Sequence, residues 1–176
     1  MPAQRFVDAL NAQLGREFGA SQQYVAAAVH YDASTLPRLA AFFYRQALEE
    51  RGHAMMMVRY LLDAGAEATI SGLEAPRTEW SDPIEPIAMA LDQERAVTGA
   101  IDELMTIARD ERDYASEQFV SWFVKEQVEE ESTMSSLLAV AERCRDDLMQ
   151  LEEYVARELA AAGDDPSAPP PADAGA

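Results

Sequence analysis

The chain has 176 residues, enough for one domain with a sizeable core, and 48% of them are hydrophobic without an uninterrupted apolar run near the ~18 residues of a membrane span. Its 14 basic residues face 32 acidic ones, a formal net charge of −18, which argues against nucleic acid as a partner because phosphate binding needs a basic face. The expectation is a soluble protein that binds neither membrane nor nucleic acid, and whose acidic surplus either serves solubility or attracts cations.

Five helices are predicted in chain order, with no strand pattern of convincing length. The first is expected over Gln4–Tyr31; before Leu14 it alternates polar and apolar residues without the continuous apolar core of a signal peptide. A break at Ser34-Thr35-Leu36 precedes Pro37, a residue suited to the first position of a second helix, which should end near Ala64 with Gly65 as its stop. Residues 66–81 are polar and contain Gly72 and Pro76. Asp82-Pro83-Ile84-Glu85 then has the form of an N-cap, a first-turn proline and a capping-box glutamate, so the third helix is expected from there to Arg109. After a break at Asp110–Asp113 a fourth helix should reach Arg143. Cys144 is the sole cysteine, so no internal disulfide framework exists, which favours a cytoplasmic protein. A short amphipathic helix over Asp146–Ala161 would place Leu148, Leu151, Val155 and Leu159 on one side. The domain is expected to span residues 1–162, followed by a Pro-, Ala- and Asp-rich tail over 163–176 read as disordered.

Loop lengths give topology. The first and third breaks are a few residues long and make antiparallel hairpins. A helix of about 27 residues spans roughly 40 Å at 1.5 Å per residue. The segment Gly65–Ser81 can stretch to about 56 Å at ~3.3 Å per residue, enough to travel the length of a bundle. Helices two and three can then lie parallel, joined by one long crossover: an all-α, ferritin-like four-helix bundle with a short fifth helix.

Stepping by fours and threes along each helix gives seams that are apolar at both ends and polar at the centre. The first reads Leu10, Leu14, Glu17, Ser21, Tyr24, Ala28; the second Leu39, Phe43, Gln46, Glu50, His53, Met57, Leu61. The third reads Ile87, Leu91, Glu94, Thr98, Ile101, Met105; the fourth Val120, Phe123, Gln127, Glu130, Met134, Leu137. Any one mid-helix glutamate is most simply a solvated one. Four seams interrupted at the same level are a different matter, because an ionised carboxylate in a bundle core costs several kcal/mol (about 3–5 when unpaired) unless something neutralises it. A pair of metal ions is the simplest neutraliser. Glu50 and His53, three apart, share a helix face, as do Gln127 and Glu130, and Glu50 is the most economical bridging ligand. Oxygen donors with a single imidazole suit iron or manganese better than structural zinc. Glu49, Glu126 and Glu129 flank the seams by one position and form a second acidic group suited to a third, looser ion, or else a solvated face. Tyr24, two turns from Glu17 on one face, is either a core tyrosine with a satisfied hydroxyl or a group within reach of the cluster. Trp122 and Phe119 read as packing, and His30 as an ordinary polar residue. Gly15, Gly19, Gly52 and Gly99 fall inside helices at up to about 1 kcal/mol each relative to Ala. Close helix packing is the expected reason.

These residues carry a resemblance. Arg16-Glu17-Phe18-Gly19-Ala20-Ser21-Gln22-Gln23-Tyr24, Glu49-Glu50-Arg51-Gly52-His53, Asp92-Gln93-Glu94-Arg95 and the stretch Trp122–Glu130 resemble the non-haem bacterial ferritins, of the actinobacterial type with a C-terminal tail, over about residues 4–161. The resemblance implies an iron-storage protein with a ferroxidase centre. A first iron would be held by Glu17, Glu50 and His53, and a second by Glu50, Glu94 and Glu130, with Gln127 close to the oxygen side and Tyr24 beside it. Glu49, Glu126 and Glu129 match the third iron site of that family. The resemblance also implies a homo-oligomeric shell of 24 subunits with the fifth helix around its four-fold axes. Arg51 stands where haem-binding relatives carry a ligand methionine, and Gln127-x-x-Glu130 replaces their Glu-x-x-His, so no haem is expected. The rival enzyme class, a di-iron oxidase or oxygenase acting on an organic substrate, usually has a second Glu-x-x-His pair. A structural or DNA-protecting shell would be expected to carry a basic tail.

Overall fold

The computed structural model describes residues 1–159 and 165–173. Its elements are five helices: α1 (Gln4–Ala33), α2 (Pro37–Asp63), α3 (Glu85–Asp110), α4 (Tyr114–Arg143) and α5 (Leu148–Glu158), with no strand among the described residues. α1 packs mainly on α2 and α3 on α4, while α5 lies across the ends of α2 and α4. Among the described residues no helix is long and apolar enough to cross a membrane.

The crossover from α2 to α3 runs along α1 in the same direction as α1. Asn11 donates to the Glu67 carbonyl and accepts from the Thr69 N–H; further on, Gln23 exchanges two bonds with the Arg77 backbone. Beyond that, the Tyr31 hydroxyl donates to the Pro83 carbonyl at 2.7 Å. The segment thus returns the chain to the end of the bundle where α2 began, and α3 descends parallel to α2. Near its far end Asp110 comes within 3.8 Å of Arg5, at the start of α1.

Helices α1, α2 and α3 end alike. In each, the residue after the cap takes a left-handed conformation, and the next N–H reaches back to a carbonyl five residues earlier. The bonds are Leu36 N–H to the Tyr31 carbonyl (3.0 Å), Ala66 to Leu61 (2.8 Å) and Asp113 to Ala108 (2.8 Å). Only α2 uses glycine for the turn, Gly65 at φ 71°; Thr35 (61°) and Arg112 (55°) do the same work against their Cβ atoms.

Three boundaries differ from expectation. α1 continues past Tyr31 to Ala33. α3 starts at Glu85, not at Pro83, because Pro86 has no N–H with which to make an α-type bond to the Asp82 carbonyl. The Glu85 N–H takes that carbonyl instead in a tighter turn, and the Asp82 and Glu85 carboxylates are spent on the Ile84 and Ser81 N–H groups. α5 is shorter than expected, Leu148–Glu158, with Asp147 as its cap; residues 160 and 161 lie outside the described residues.

α5 is fixed by a buried charge. Glu152, 5% exposed, accepts from the Arg38 and Leu39 N–H groups at 2.8 Å each, capping the start of α2 from another helix. Of the tail, Asp165 accepts from Trp122 Nε1 (3.2 Å) and Lys125 Nζ (3.4 Å), and the Ala172 N–H donates to the Met55 carbonyl (3.0 Å), so this stretch lies along α2 and α4. Residues 163, 164 and 174–176 lie outside the described residues. Close packing accounts for Gly15, where a Cβ would sit 3.0 Å from Ser71 Oγ of the crossover; at Gly19, Gly52 and Gly99 a Cβ would meet nothing within 4 Å, and the structure does not explain them.

The apolar core is divided. One cluster, toward the α5 end, is built around Tyr24, Tyr31, Leu39, Phe43, Ile87, Leu91, Met134, Leu137 and Leu151. The other fills the opposite end with Phe6, Leu10, Leu14, Met57, Leu61, Ile101, Leu104, Val120 and Phe123. What separates them is polar.

Candidate metal centre

Between the two apolar halves lie Glu17 from α1, Glu50 and His53 from α2, Glu94 from α3, and Gln127 and Glu130 from α4, none more than 5% exposed. The seam interruptions therefore share one level of the bundle. His53 Nδ1 is 3.4 Å from Glu50 Oε2 and 3.9 Å from Glu17 Oε2. One ligand atom from each of these three residues lies within 4.8 Å of the others, a spacing at which a single ion can touch all three. Across the layer, the Tyr24 hydroxyl donates to Glu94 Oε1, and Gln127 Nε2 donates to Glu94 Oε2 at 3.2 Å. Glu94 thereby joins α1, α3 and α4. His53 is steadied by the edges of Trp122 and Phe123, with ring centroids 5.6 and 5.7 Å away. Phe119 stacks on Tyr60 at 4.1 Å.

Electrostatics make the layer costly without a cation. Burial pushes the Glu17 carboxyl well above its ordinary range, and the Glu50 charge pushes it further. Glu50 is raised by burial, and the charges of Glu94, Glu130 and Glu49 add to it. Glu130 is raised by burial, then by Glu49 and Glu94. Glu94 is raised by burial despite the opposing bonds from Tyr24 and Gln127, and the Tyr24 hydroxyl is raised by burial and by the Glu94 charge. So many carboxyl groups in one dry layer cannot all ionise unless positive charge enters. Glu17 Oε2, buried and without a hydrogen-bond partner, is where that charge is most plainly missing. Hard oxygen donors with one imidazole fit iron or manganese.

The flanking acids divide. Glu49, His53 and Glu126 each offer an atom within 4.8 Å of the others, and Glu49 also accepts from Gln46 Nε2 at 2.6 Å. Glu129 is exposed and faces Lys125 at 3.8 Å. Among the described residues Glu50, Glu94 and Glu130 do not close to the same spacing, and Glu130 stays buried on the α4 side of the layer. His30 lies against Trp80 with centroids 5.0 Å apart, away from the layer. One polar contributor escapes the seam reading: Gln13, fully buried, donates to Glu17 Oε1 at 2.7 Å, while Thr98, itself a seam position of α3, donates to Glu131 at 2.5 Å beside Gln127. The spacing of Gln13, four residues before Glu17, was the available signal.

A buried layer of carboxylates and one histidine, supplied by all four long helices of a crossover bundle, defines the class of four-helix carboxylate metal proteins. Within it, residues 7–144 match the family described as "Ferritin-like domain". The chain is 50% identical to "Ferritin BfrB" of Mycolicibacterium smegmatis over 165 residues, 94% of this chain and 91% of that one. It is 37% identical to "Bacterial non-heme ferritin" of Staphylococcus epidermidis over 161 residues, 92% and 96% of the two chains. Among solved structures, the open-pore ferritin of Archaeoglobus fulgidus superposes with a TM-score of 0.86 at 28% identity, covering 90% of this chain and 99% of that one. The chain belongs to the ferritin family.

Proposed function

We propose that the protein stores iron and is a ferroxidase: it oxidises Fe(II) with dioxygen in the polar layer and passes Fe(III) to a mineral inside a shell of its own copies. The observation that carries this reading is the convergence of Glu17, Glu50, His53, Glu94 and Glu130 from four helices in one buried layer. Fe(II) is the substrate. Glu17, Glu50 and His53 are the proposed ligands of the first ion, and Glu50, Glu94 and Glu130 those of the second, Glu50 being shared. Each Fe(II) gives up one electron, two ions together reducing one dioxygen by two. The ferric product carries more charge and is held more strongly by carboxylates, so the same ligands that bind the substrate favour its oxidation. Tyr24 and Gln127 keep Glu94 oriented through the phenol hydroxyl and the amide. Glu49, Glu126 and Glu129 are proposed to hold a third ion on its way out, with His53 facing both groups. Names carried by relatives support storage, and the Arg51 side chain at the haem-ligand position supports a haem-free protein. The proposal includes a 24-subunit cytoplasmic shell and a domain ending near residue 162.

The test is aerobic addition of Fe(II) to the purified assembly, followed by stopped-flow absorbance and by size-exclusion chromatography with iron analysis. Fast oxidation and iron co-eluting with a large particle are expected. Oxidation at the buffer rate with no co-eluting iron would sink the reading. Glu50→Ala should abolish the fast phase and leave assembly intact.

A further inference from the structure

On the α1 side the polar layer continues outward through one more residue. Gln13 is 0% exposed, and both ends of its amide are engaged: Nε2 donates to Glu17 Oε1 at 2.7 Å, and Oε1 accepts from Arg16 Nη1 at 3.1 Å. Chemistry fixes which way round the amide sits. Guanidinium offers only donors, so the atom facing Arg16 must be the carbonyl oxygen, and the NH₂ group must face Glu17. Arg16 itself lies on the wall of an open groove of about 510 Å³ between α1 and α3. A hydrogen-bond line therefore runs from a cation at the groove, through a buried amide, to one oxygen of a carboxylate.

That line divides the two oxygens of Glu17. Oε1 is occupied by the amide proton, whereas Oε2 is buried with no partner and lies 3.9 Å from His53 Nδ1. Resting on the metal-site reading above, we infer that Gln13 is a positioning residue for Glu17, clamped by Arg16, so that Glu17 meets an incoming divalent cation through Oε2 alone. One-oxygen binding keeps the ligand atom count low on the first ion and leaves room for the shared Glu50. A carboxylate without that bond would be free to rotate and could offer either oxygen, or both. The amide also prevents Glu17 from turning its second oxygen away from the centre without breaking a buried bond, a loss that protein interiors resist.

Anaerobic titration of the assembled, metal-stripped protein with Co(II) tests this, because Co(II) is not consumed by oxygen chemistry here and its visible bands report ligand geometry. Wild type should bind with a defined spectrum. Gln13→Leu, which keeps the volume and removes both bonds, should weaken the tightest Co(II) step by about 10-fold or more and change band intensity. Gln13→Glu keeps the partner for Arg16 but removes the donor to Glu17, and should do the same. Arg16→Met, at the groove, should give a smaller shift in the same direction, and Arg16→Lys should restore wild-type behaviour. Unchanged isotherms and spectra in Gln13→Leu or Gln13→Glu would overturn the inference. If the Gln13 variants fail to assemble, an Arg16→Met spectrum identical to wild type overturns it. Wild-type protein that binds no Co(II) and oxidises no Fe(II) would instead remove the metal-site reading beneath it.

Discussion

Without metal, replacing Glu50 by Gln should make this protein more stable. Glu50 is 2% exposed, and its carboxyl sits well above the ordinary value of 4.5, chiefly through burial. A carboxyl raised on folding binds more protons in the folded than in the unfolded state over the interval between the two values. Stability contributed by it is therefore complete below the unfolded value and is lost as pH rises through the folded one. Glu17 and Glu130 are shifted in the same direction and act together with it. Gln has nearly the shape of Glu and cannot ionise, so the variant escapes the loss. A tenfold change in proton affinity corresponds to about 1.4 kcal/mol, and an uncompensated buried charge costs several, so a gain of about 1–3 kcal/mol near pH 8 is expected. For a chain of this size that is roughly 2–4 °C in Tm per kcal/mol. Unfolding of chelator-treated wild type and Glu50→Gln should be followed at pH 4 and pH 8. The two should differ little at pH 4, and the variant should lead at pH 8. Zn(II) at about 1,000 times its Kd should add about 4.1 kcal/mol to wild type and far less to the variant, reversing the order. A Glu50→Gln protein no more stable than wild type at pH 8 without metal would refute the argument that the layer is held together at the expense of stability.

Glu152→Ala should destabilise the protein by about 2–4 kcal/mol, because two charge-assisted bonds are lost and the Arg38 and Leu39 N–H groups are left without acceptors. Hydrogen exchange should speed up at those two amides, and unchanged exchange there would rule out the capping role. Thr35→Gly should stabilise by about 1 kcal/mol by relieving a β-branched residue at φ 61°, and Gly65→Ala should cost about as much at φ 71°; equilibrium denaturation of each reads the sign directly.

Sequence pattern alone places much of this molecule. Every seam position chosen in α2 and α4 is buried, because the fixed steps of four and three follow the inner stripe over the length that matters. In α3 the same stepping drifts off it: Thr98 and Met105 are half-buried, while Val97 and Leu104 face the core. A straight helix has 3.6 residues per turn and not 3.5, so a strict heptad slips by about 20° each repeat. Helix ends are legible where glycine marks them, as at Gly65, and less so at Thr35, whose residue type gives no hint of a left-handed turn. The α3 start is deceptive because Pro83 resembles a first-turn proline while Pro86, three residues on, decides which carbonyl can be used. Gln13 and Glu152 escape the pattern for a shared reason. In both cases a polar residue beside an apolar stripe looks the same whether it turns outward or inward; the partners of Gln13 lie on its own helix, and only those of Glu152 are set by packing against another one.

The division of the core explains how such a layer is tolerated. Two apolar clusters, each drawing on α1, α2, α3 and α4, hold the helices at both ends, so the polar middle need not contribute to holding them together. At one end Glu152 pins α5 to α2; alongside, the crossover is bonded to α1 from Asn11 to Tyr31. Freed from a packing role, the middle can keep carboxylates that repel one another, with Tyr24, Gln127 and Gln13 supplying orientation without charge. A cation then finds ligands already in place and repulsion waiting to be relieved. Both effects favour binding, and the second is the larger because it grows with every buried carboxylate in the layer.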